Sequence, residues 1–549
     1  MADSTEPARG ADALLRARRT RVVVVGGGVA GLVSALEWAK IGAQVTVLDA
    51  AGRLGGSLET ALLDGIPIDL VADAFPAQAP ALAGVIDELR LRADVDEAAP
   101  LPVWIAGPAA AGRASNAAPL PEATVLGIPS NAWADDVRRV IGWRGAWRAY
   151  LDRLRPPLTI GHERSLGRLV RQRMGDRVVD RLVAPVTRGL YGLDPDEVDV
   201  EAAAPGLSTA LTRTGSLAGA VFDLLAPDGD GDGSATAPAT RATLRGGFGR
   251  LATALTERLL DLGADLRVDH RVTSLAAAPD GTWTVRAPAP DQARDQARDQ
   301  ATDQATDAAA AVPSAASPPG EVVVEADVVV IATGARVAAA LLDGAGIRVG
   351  ADAPAAPVRD VVDLVVVTPA LDGAPRGRAV YPVVAPGRAA PGAAGADTTP
   401  DVASAALSVT LPSAEWPSLA AAAGPGRHVL RVTLDADAAR SDEATIDLAR
   451  GGAAALLGVD LPAPHAAGRR TVVLEPPASR LGHAEHVTAV RGLTSAHPGL
   501  AVVGSWVAGS GVAATVADAL AENDRIRSAV LWPGEGAPTS DAGDESAGR

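Results

Sequence analysis

The sequence predicts an α/β fold organised around a Rossmann-type domain, and three observations carry that expectation. First, Arg21–Val25 is a short β-branched run, residues 29–41 carry helical periodicity, and Gln44–Leu48 reads as a second strand. Strand, glycine turn, helix and strand thus fit within about 30 residues, the size of one βαβ unit. Second, residues 500–530 repeat the order of strand, glycine turn and long helix near the other end of the chain, so the domain is assembled from separated segments. Third, residues 131–210 between them are dominated by helical patterns with interspersed arginines.

The remaining elements follow in chain order. Residues 244–262 read as a glycine-led helix, 265–275 and 282–286 as strands, and 322–331 as a strand ending at Ala332, Thr333 and Gly334. Residues 1–19, 226–242, 287–320 and 532–549 are rich in Ala, Pro, Gly, Asp or Ser without a sustained apolar period, and read as linkers or tails. In the third, Asp291, Asp295, Asp299, Asp303 and Asp307 recur every four residues. A helix would crowd these like charges on one face, so a mobile insertion is expected. Asp228, Asp230, Asp232 and Gly233 imitate the start of a calcium loop, but Ala239 stands where its bidentate Glu is needed, leaving a linker.

Composition excludes several classes. A chain of 549 residues has room for three or four domain-sized units, and 48% hydrophobic with 21% charged residues is ordinary globular composition, so neither a small binding module nor wholesale disorder fits. Cysteine is absent, which removes disulfides, thiolate metal sites, a cysteine nucleophile and a cysteinyl cofactor link. Seven scattered His make a His-rich metal site unexpected, and the expected metal content is none. A formal charge of −16 disfavours nucleic acid and anionic membrane. No signal-type apolar segment and no run of about 18 apolar residues is present, so the expectation is a soluble, cytoplasmic protein without stable membrane insertion. Lys40 is the only lysine, so the abundance of arginine reflects a compositional bias.

Gly26, Gly28 and Gly31 form G-x-G-x-x-G between the first strand and helix, with Gly27, Val29 and Ala30 as its other members. The first glycine permits the tight turn, the second lets backbone approach a pyrophosphate, and the third allows close helix–strand packing. The phosphate then sits on free N–H groups at the helix N-terminus. Asp49 ends the second strand, 18 residues after Gly31, where an acid would bond a ribose hydroxyl. A glycine turn that binds nothing is the bland alternative, and the complete strand, helix, strand and acid context argues against it. NAD and FAD share this fingerprint. Arg53, Gly55 and Gly56, in D-A-A-G-R-L-G-G-S-L, resemble the second fingerprint of the FAD-dependent amine-oxidase-like superfamily, which favours FAD.

Within that superfamily the chain resembles the protoporphyrinogen and coproporphyrinogen III oxidases, most of all their soluble actinobacterial and Gram-positive type. The likeness runs discontinuously from about residue 21 to 531 through DLVADAF (69–75), LPEATVLGIPS (120–130), LVAPVTRGLYGLDP (182–195), LRGGFGRL (244–251), ADVVVIATG (326–334), Gly482 with His483, and PGLAVVGSWVAGSGV (498–512). It implies FAD contacts at Gly26 to Gly31, Asp49, Ala50, Arg53, Gly55, Gly56, Ser57, Val71, Ala72, Asp73 and Ala74. It also implies contacts at Val272, in a strand beside the adenine, and at Gly504, Ser510, Gly511 and Val512. The implied architecture is a discontinuous FAD-binding Rossmann-type domain (20–95, 243–275, 321–345, 491–531), a mixed-sheet substrate domain (276–286, 346–490) and a helical substrate-cavity subdomain (96–210). Residues 226–242 and 287–320 link these parts, between disordered tails at 1–19 and 532–549. FAD is expected to be noncovalent, since cysteine is absent and no His stands beside the glycine fingerprints.

The sequence also departs from that family. Asp49 replaces Glu, Ser57 a basic residue and Val71 a glycine; residues 472–479 read VVLEPPAS, keeping only Pro477 of W-x-x-A-x-P-Q-Y, and 506–513 read WVAGSGVA. The implied chemistry is hydride abstraction from a porphyrinogen by flavin and reoxidation by O2 to H2O2, with three cycles removing six electrons and no catalytic side chain required. Coproporphyrinogen III is the implied substrate, with protoporphyrinogen IX as the alternative. An amine oxidase, another flavin desaturase, or a weakly active FAD- and porphyrin-binding protein also stay open. Against amine oxidation, Lys40 ends the first helix far from the flavin end, and the three tyrosines, Tyr150, Tyr191 and Tyr381, offer no obvious aromatic cage, which leaves Trp506 as one candidate wall. Ten arginines lie between 138 and 173, mostly on expected solvated faces; Arg113 and Arg144 are the candidates to grip propionates and draw a tetra-anion to an acidic chain. Transient contact with neighbouring haem-pathway enzymes is a further expectation.

Overall fold

The computed structural model describes residues 6–107, 117–155, 163–226, 240–288, 321–349, 357–383, 406–474 and 477–532. A five-stranded parallel sheet forms its central layer. Arg21–Val25 lies between Gln44–Leu48 and Val328–Ile331, with Asp265–Arg267 and Leu500–Val502 at the two edges. Both faces are covered, which is why these strands read as continuous valine runs. Val22, Val24, Val45, Val47, Val328 and Val330 pack on one side against the helices Val29–Lys40, Gly249–Asp261 and Val512–Leu531. Val23, Val25, Leu48, Val329 and Ile331 face the other side, against Leu275, Trp283 and Val285. Each such fully buried side chain contributes about 1.5–3 kcal/mol.

Several expected boundaries move. The strand expected at 322–331 breaks at Asp327, which accepts from the Arg21 backbone N–H at 2.8 Å; Glu321–Ala326 joins a three-stranded antiparallel sheet with Ser274–Ala277 and Trp283–Pro288. That small sheet packs on the parallel sheet through Leu275, Trp283 and Val285. The strand expected at 265–275 likewise splits into Asp265–Arg267 and Ser274–Ala277, and the helix expected from 244 starts at Gly249 after a strand Arg241–Leu244. That strand also takes the last two residues of the 226–242 linker. In the expected N-terminal tail, Glu6–Arg19 is helical, with Ala13 and Ala17 buried and the Arg16 guanidinium donating to the Leu531 carbonyl at 2.6 Å. The calcium-like stretch, most of the 287–320 repeat and residues 533–549 lie outside the described residues.

A seven-stranded mixed sheet forms the second layer, in the order Ala466–Val473, Val358–Val367, Arg427–Asp435, Ala406–Thr410, Ala379–Pro382, Val103–Ala106 and Ala117–Pro119. Its last two strands come from the first part of the expected helical subdomain (96–210), ahead of the helices, which begin at Asp135 close to the expected 131. Helix Asp442–Leu457 covers one face. The helices Asp135–Tyr150, Leu166–Met174, Ala184–Tyr191, Leu207–Thr214 and Leu217–Leu225 surround a separate core containing Ile141, Val170, Leu182 and Leu217. Among the described residues, no helix is long and apolar enough to cross a membrane.

Candidate cofactor-binding site

The first glycine turn is built at the C-terminal end of Arg21–Val25. Gly26 has φ 102° and donates to the Leu48 carbonyl at 2.8 Å; a Cβ there would lie 2.7 Å from the Ala332 oxygen. At Gly31 a Cβ would lie 1.9 Å from the Gly26 oxygen, so helix and strand can approach only through glycine. Gly28 differs: its φ is −71° and a Cβ would meet nothing within 4 Å. Val29 and Ala30 turn into the core. The open side of Gly28 therefore stands at the N-terminus of Val29–Lys40, where no acidic side chain occupies the first turn and the helix field favours an anion.

Asp49 accepts from the Gly27 N–H at 2.6 Å and from the Ala51 N–H at 2.7 Å, one bond on each oxygen, while Ala50 is exposed. A carboxylate offers about four acceptor positions, so capacity remains for ribose hydroxyls. The second glycine pair closes on the first. Gly55 bridges Gly28 and donates to the Gly27 carbonyl at 2.7 Å, and a Cβ at Gly56 would press within 3.0 Å of the Gly28 Cα. Arg53 donates to the Gly56 carbonyl at 2.8 Å and pairs with Glu59, which fixes this turn. Ser57 accepts from the Ala72 N–H at 3.2 Å, which brings Val71, Ala72, Asp73 and Ala74 alongside. Val71 is exposed, 41% accessible, and so projects outward from the core.

The C-terminal fingerprint offers a second helix N-terminus. Gly511 has φ 120°, a Cβ on it would meet nothing within 4 Å, and no acidic residue lies in the first turn of Val512–Leu531. Ser510 is exposed and Val512 buried. Gly504, at φ 130°, starts the turn that places Trp506, whose indole N–H donates to the Thr333 carbonyl at 3.0 Å. The Thr333 hydroxyl is buried without a partner among the described residues. Val272 packs in the core beside Val25 and Leu48, but in the connection between two strands rather than in a strand. Two open glycines at helix N-termini, an acid with spare acceptors and an orphaned hydroxyl suit a dinucleotide.

Sequence reasoning missed what holds the 69–74 segment. Arg431, on Arg427–Asp435, pairs with Asp363 at 2.8 Å and Asp73 at 3.0 Å and donates to the Asp69 carbonyl; Arg470 donates to the Leu70 carbonyl and pairs with Asp363. The signal was the pair of acids in VRDVVDLVVV: Asp360 and Asp363 are both buried in a strand that is mostly valine and leucine, and a buried charge demands partners. Burial pushes the Asp69 carboxyl up to about 6, against the Thr60 hydroxyl and the Phe248 N–H that both donate to it. Asp69, Asp73 and Arg431 line a cavity of about 110 Å³ together with Thr243 and Trp416. His483 bonds the Val507 carbonyl at 3.0 Å, and burial holds its pKa below the ordinary value.

Of the arginine candidates, Arg113 lies outside the described residues, and Arg144 is exposed on Asp135–Tyr150. Arg148, Arg164, Arg171 and Arg173 are committed to internal carbonyls or carboxylates. Lys40 pairs with Glu37 at 2.5 Å and Glu88 at 3.0 Å, at the far end of the helix that Gly28 starts. Among the described residues no group of three His, Cys, Asp or Glu could hold a metal.

The chain is 31% identical over 196 residues to coproporphyrinogen III oxidase of Propionibacterium freudenreichii subsp. freudenreichii, covering 35% of each chain. It is 34% identical over 213 residues to coproporphyrinogen III oxidase of Mycobacterium tuberculosis (strain ATCC 25618 / H37Rv), covering 38% of this chain and 45% of the relative. The chain thus spans less than half the length of these relatives. A structure from Exiguobacterium sp. 255-15, whose assignment as a protoporphyrinogen oxidase is itself provisional, shares the fold with a TM-score of 0.69 at 21% identity, covering 92% of this chain and 98% of that one. Residues 29–526 match the flavin containing amine oxidoreductase model, and the chain belongs to that family.

Proposed function

We propose that this flavin-dependent oxidoreductase aromatises coproporphyrinogen III to coproporphyrin III in haem biosynthesis, with FAD as a noncovalent cofactor. One macrocycle gives up six electrons and six hydrogens, which reduce three O2 to three H2O2. The observation that carries the reading is the closure of two glycine turns on each other, Gly28 to Gly55, with Asp49 beside them. The likeness to coproporphyrinogen III oxidases adds the substrate class. FAD when bound supplies the hydride acceptor. The chain's own part is to hold and orient: the N–H groups beyond Gly28 would face phosphate oxygens, Ser510 to Val512 would lie under the flavin, Asp49 would take a ribose hydroxyl, and Arg431 and Arg470 fix the 69–74 segment. Lys40, held by two glutamates, is not free to serve the amine-oxidase alternative. We place the enzyme in the cytoplasm, in transient contact with neighbouring pathway enzymes.

The test is a side-by-side fluorescence assay of coproporphyrinogen III and protoporphyrinogen IX with purified protein and O2, against an enzyme-free control for autoxidation. The tetracarboxylate should be oxidised with the higher kcat/KM, because a site built to pair two more carboxylates discriminates against a substrate lacking them. Equal rates would remove the coproporphyrinogen assignment. Rates equal to the control for both would leave a flavoprotein of another activity, or a weakly active porphyrin binder.

A further inference from the structure

Helix Asp135–Tyr150 carries an aromatic stripe on the outside of the molecule. It kinks at Gly142, φ 69°, and beyond the kink Trp143, Trp147 and Tyr150 follow at i, i+4 and i+7, on one face. Trp133, from the preceding turn, packs against all three, with ring centroids 5.8, 6.1 and 5.9 Å away. Trp143 and Trp147 nevertheless stay 67% and 58% exposed. Three of the chain's nine tryptophans therefore form one cluster, Trp133 seating it on the helical core while Trp143 and Trp147 stay at the surface, and contiguous exposed rings of this kind mark a binding surface.

Cations surround the stripe. The Arg138 guanidinium lies 4.4 Å from the Trp143 ring centre and that of Arg153 5.6 Å from the Tyr150 ring. Arg144 is exposed on the same helix, one residue beyond Trp143, without an ion-pair partner among the described residues. On a chain of net charge −16 this is a local attraction for anions.

Resting on the reading above, we infer that this patch is an outer binding site for a planar aromatic macrocycle bearing several carboxylates, the chemical form of the oxidised product. The substrate has tetrahedral bridge carbons and is puckered, so it cannot lie flat on the rings. Oxidation makes the macrocycle planar and gives it a π-face, and only then can it stack on Trp143 and Trp147 while its carboxylates meet Arg144. Rings predominate on the stripe, with the exposed Leu154 at its end, and a flat conjugated ring can stack on them face to face. Such a site would collect product as it leaves and hold it for a receiving partner.

Titration of the purified flavoprotein with coproporphyrin III, followed by tryptophan quenching and the porphyrin absorption band, tests this. The unaltered chain should bind two equivalents, one in the catalytic cavity and one on the patch. The double variant Trp143→Ala, Trp147→Ala should bind one, and Arg144→Ala should weaken the second site about tenfold, the scale of one charged hydrogen bond. Stoichiometric flavin in each variant shows that it has folded. A single equivalent in the unaltered chain, or two in the double variant, would overturn the inference. So would tryptophan-dependent capture by phosphatidylglycerol vesicles without any tryptophan-dependent porphyrin binding. A parallel measurement of flavin reduction by coproporphyrinogen III separates the two claims. If the flavin is reduced while porphyrin binding ignores the tryptophans, only this inference fails; if it stays oxidised while two equivalents bind, only the activity fails.

Discussion

A methyl group at Gly31 would lie 1.9 Å from the Gly26 oxygen, whereas one at Gly28 would meet nothing within 4 Å. The first glycine serves packing and the second leaves room for a ligand. Gly28→Val should therefore fold, since its φ of −71° is open to any residue, yet lose about a hundredfold or more in FAD affinity as the side chain enters the phosphate path. Fluorescence titration with FAD and the unfolding midpoint of the flavin-free protein check the two halves; stoichiometric FAD in that variant would show that the cofactor lies elsewhere. Asp69 makes a second prediction at this scale. Its folded pKa of about 6 stands above the ordinary 3.8, so its contribution to stability is full below about pH 4 and is lost as pH rises through 6. Compared with Asp69→Asn, the unaltered chain should lose roughly 1–3 kcal/mol between those limits, read from urea unfolding at each pH. The strand, glycine turn, helix and strand around Gly26–Gly31 and Asp49 were legible from spacing, and the turn at Gly55 and Gly56 from its resemblance to a family fingerprint, because both are built by neighbours within 30 residues. Arg431 and Arg470 were not, since their partner Asp363 lies 68 and 107 positions away.

Within the helical region, Asp152 and Arg173 form a buried pair, 0% and 4% exposed at their side chains. Asp152 also accepts from the Leu217 and Ala218 N–H groups and so caps the helix Leu217–Leu225, while Arg173 donates to the Gly215 carbonyl at 2.7 Å. Removing one partner strands the other charge in the core. Asp152→Ala should cost about 3–5 kcal/mol, measured by chemical denaturation, and should do so without altering FAD affinity in whatever fraction stays folded. No local pattern revealed this pair, since Arg173 reads like its nine arginine neighbours until Asp152 is brought beside it. Similarly, the acid that breaks VVVEADVVVI at Asp327 does not by itself show a change of sheet: Arg21, some 300 positions earlier, bonds Asp327 where the backbone switches sheets. The helix Glu6–Arg19 was hidden by its Ala-rich composition, although Ala13 and Ala17 are spaced to bury one face.

Across the whole molecule, two sheets meet at the segment 69–74. The parallel sheet carries the glycine turn at Gly26–Gly31, and the mixed sheet reaches the 69–74 segment through Arg431 and Arg470. The α/β class and the discontinuous Rossmann unit were readable because each crossover leaves a strand and a glycine turn in the sequence. The seven-stranded sheet was less so, because its strands Val103–Ala106 and Ala117–Pro119 are short and the first joins the sheet through Ala379–Pro382, hundreds of positions later. A cofactor held only by such noncovalent surfaces should leave the chain on acid precipitation, with all yellow colour in the supernatant; colour retained in the pellet would indicate a covalent link.

The central claim is that the flavin of this chain accepts hydride equivalents from a porphyrinogen. Anaerobic mixing of the purified yellow protein with coproporphyrinogen III tests it most directly, with flavin absorbance near 450 nm followed in time. The account predicts that the band bleaches within seconds, that porphyrin fluorescence rises in step, and that admitting O2 restores the yellow colour. An absorbance that stays unchanged while free porphyrinogen remains in solution would contradict it.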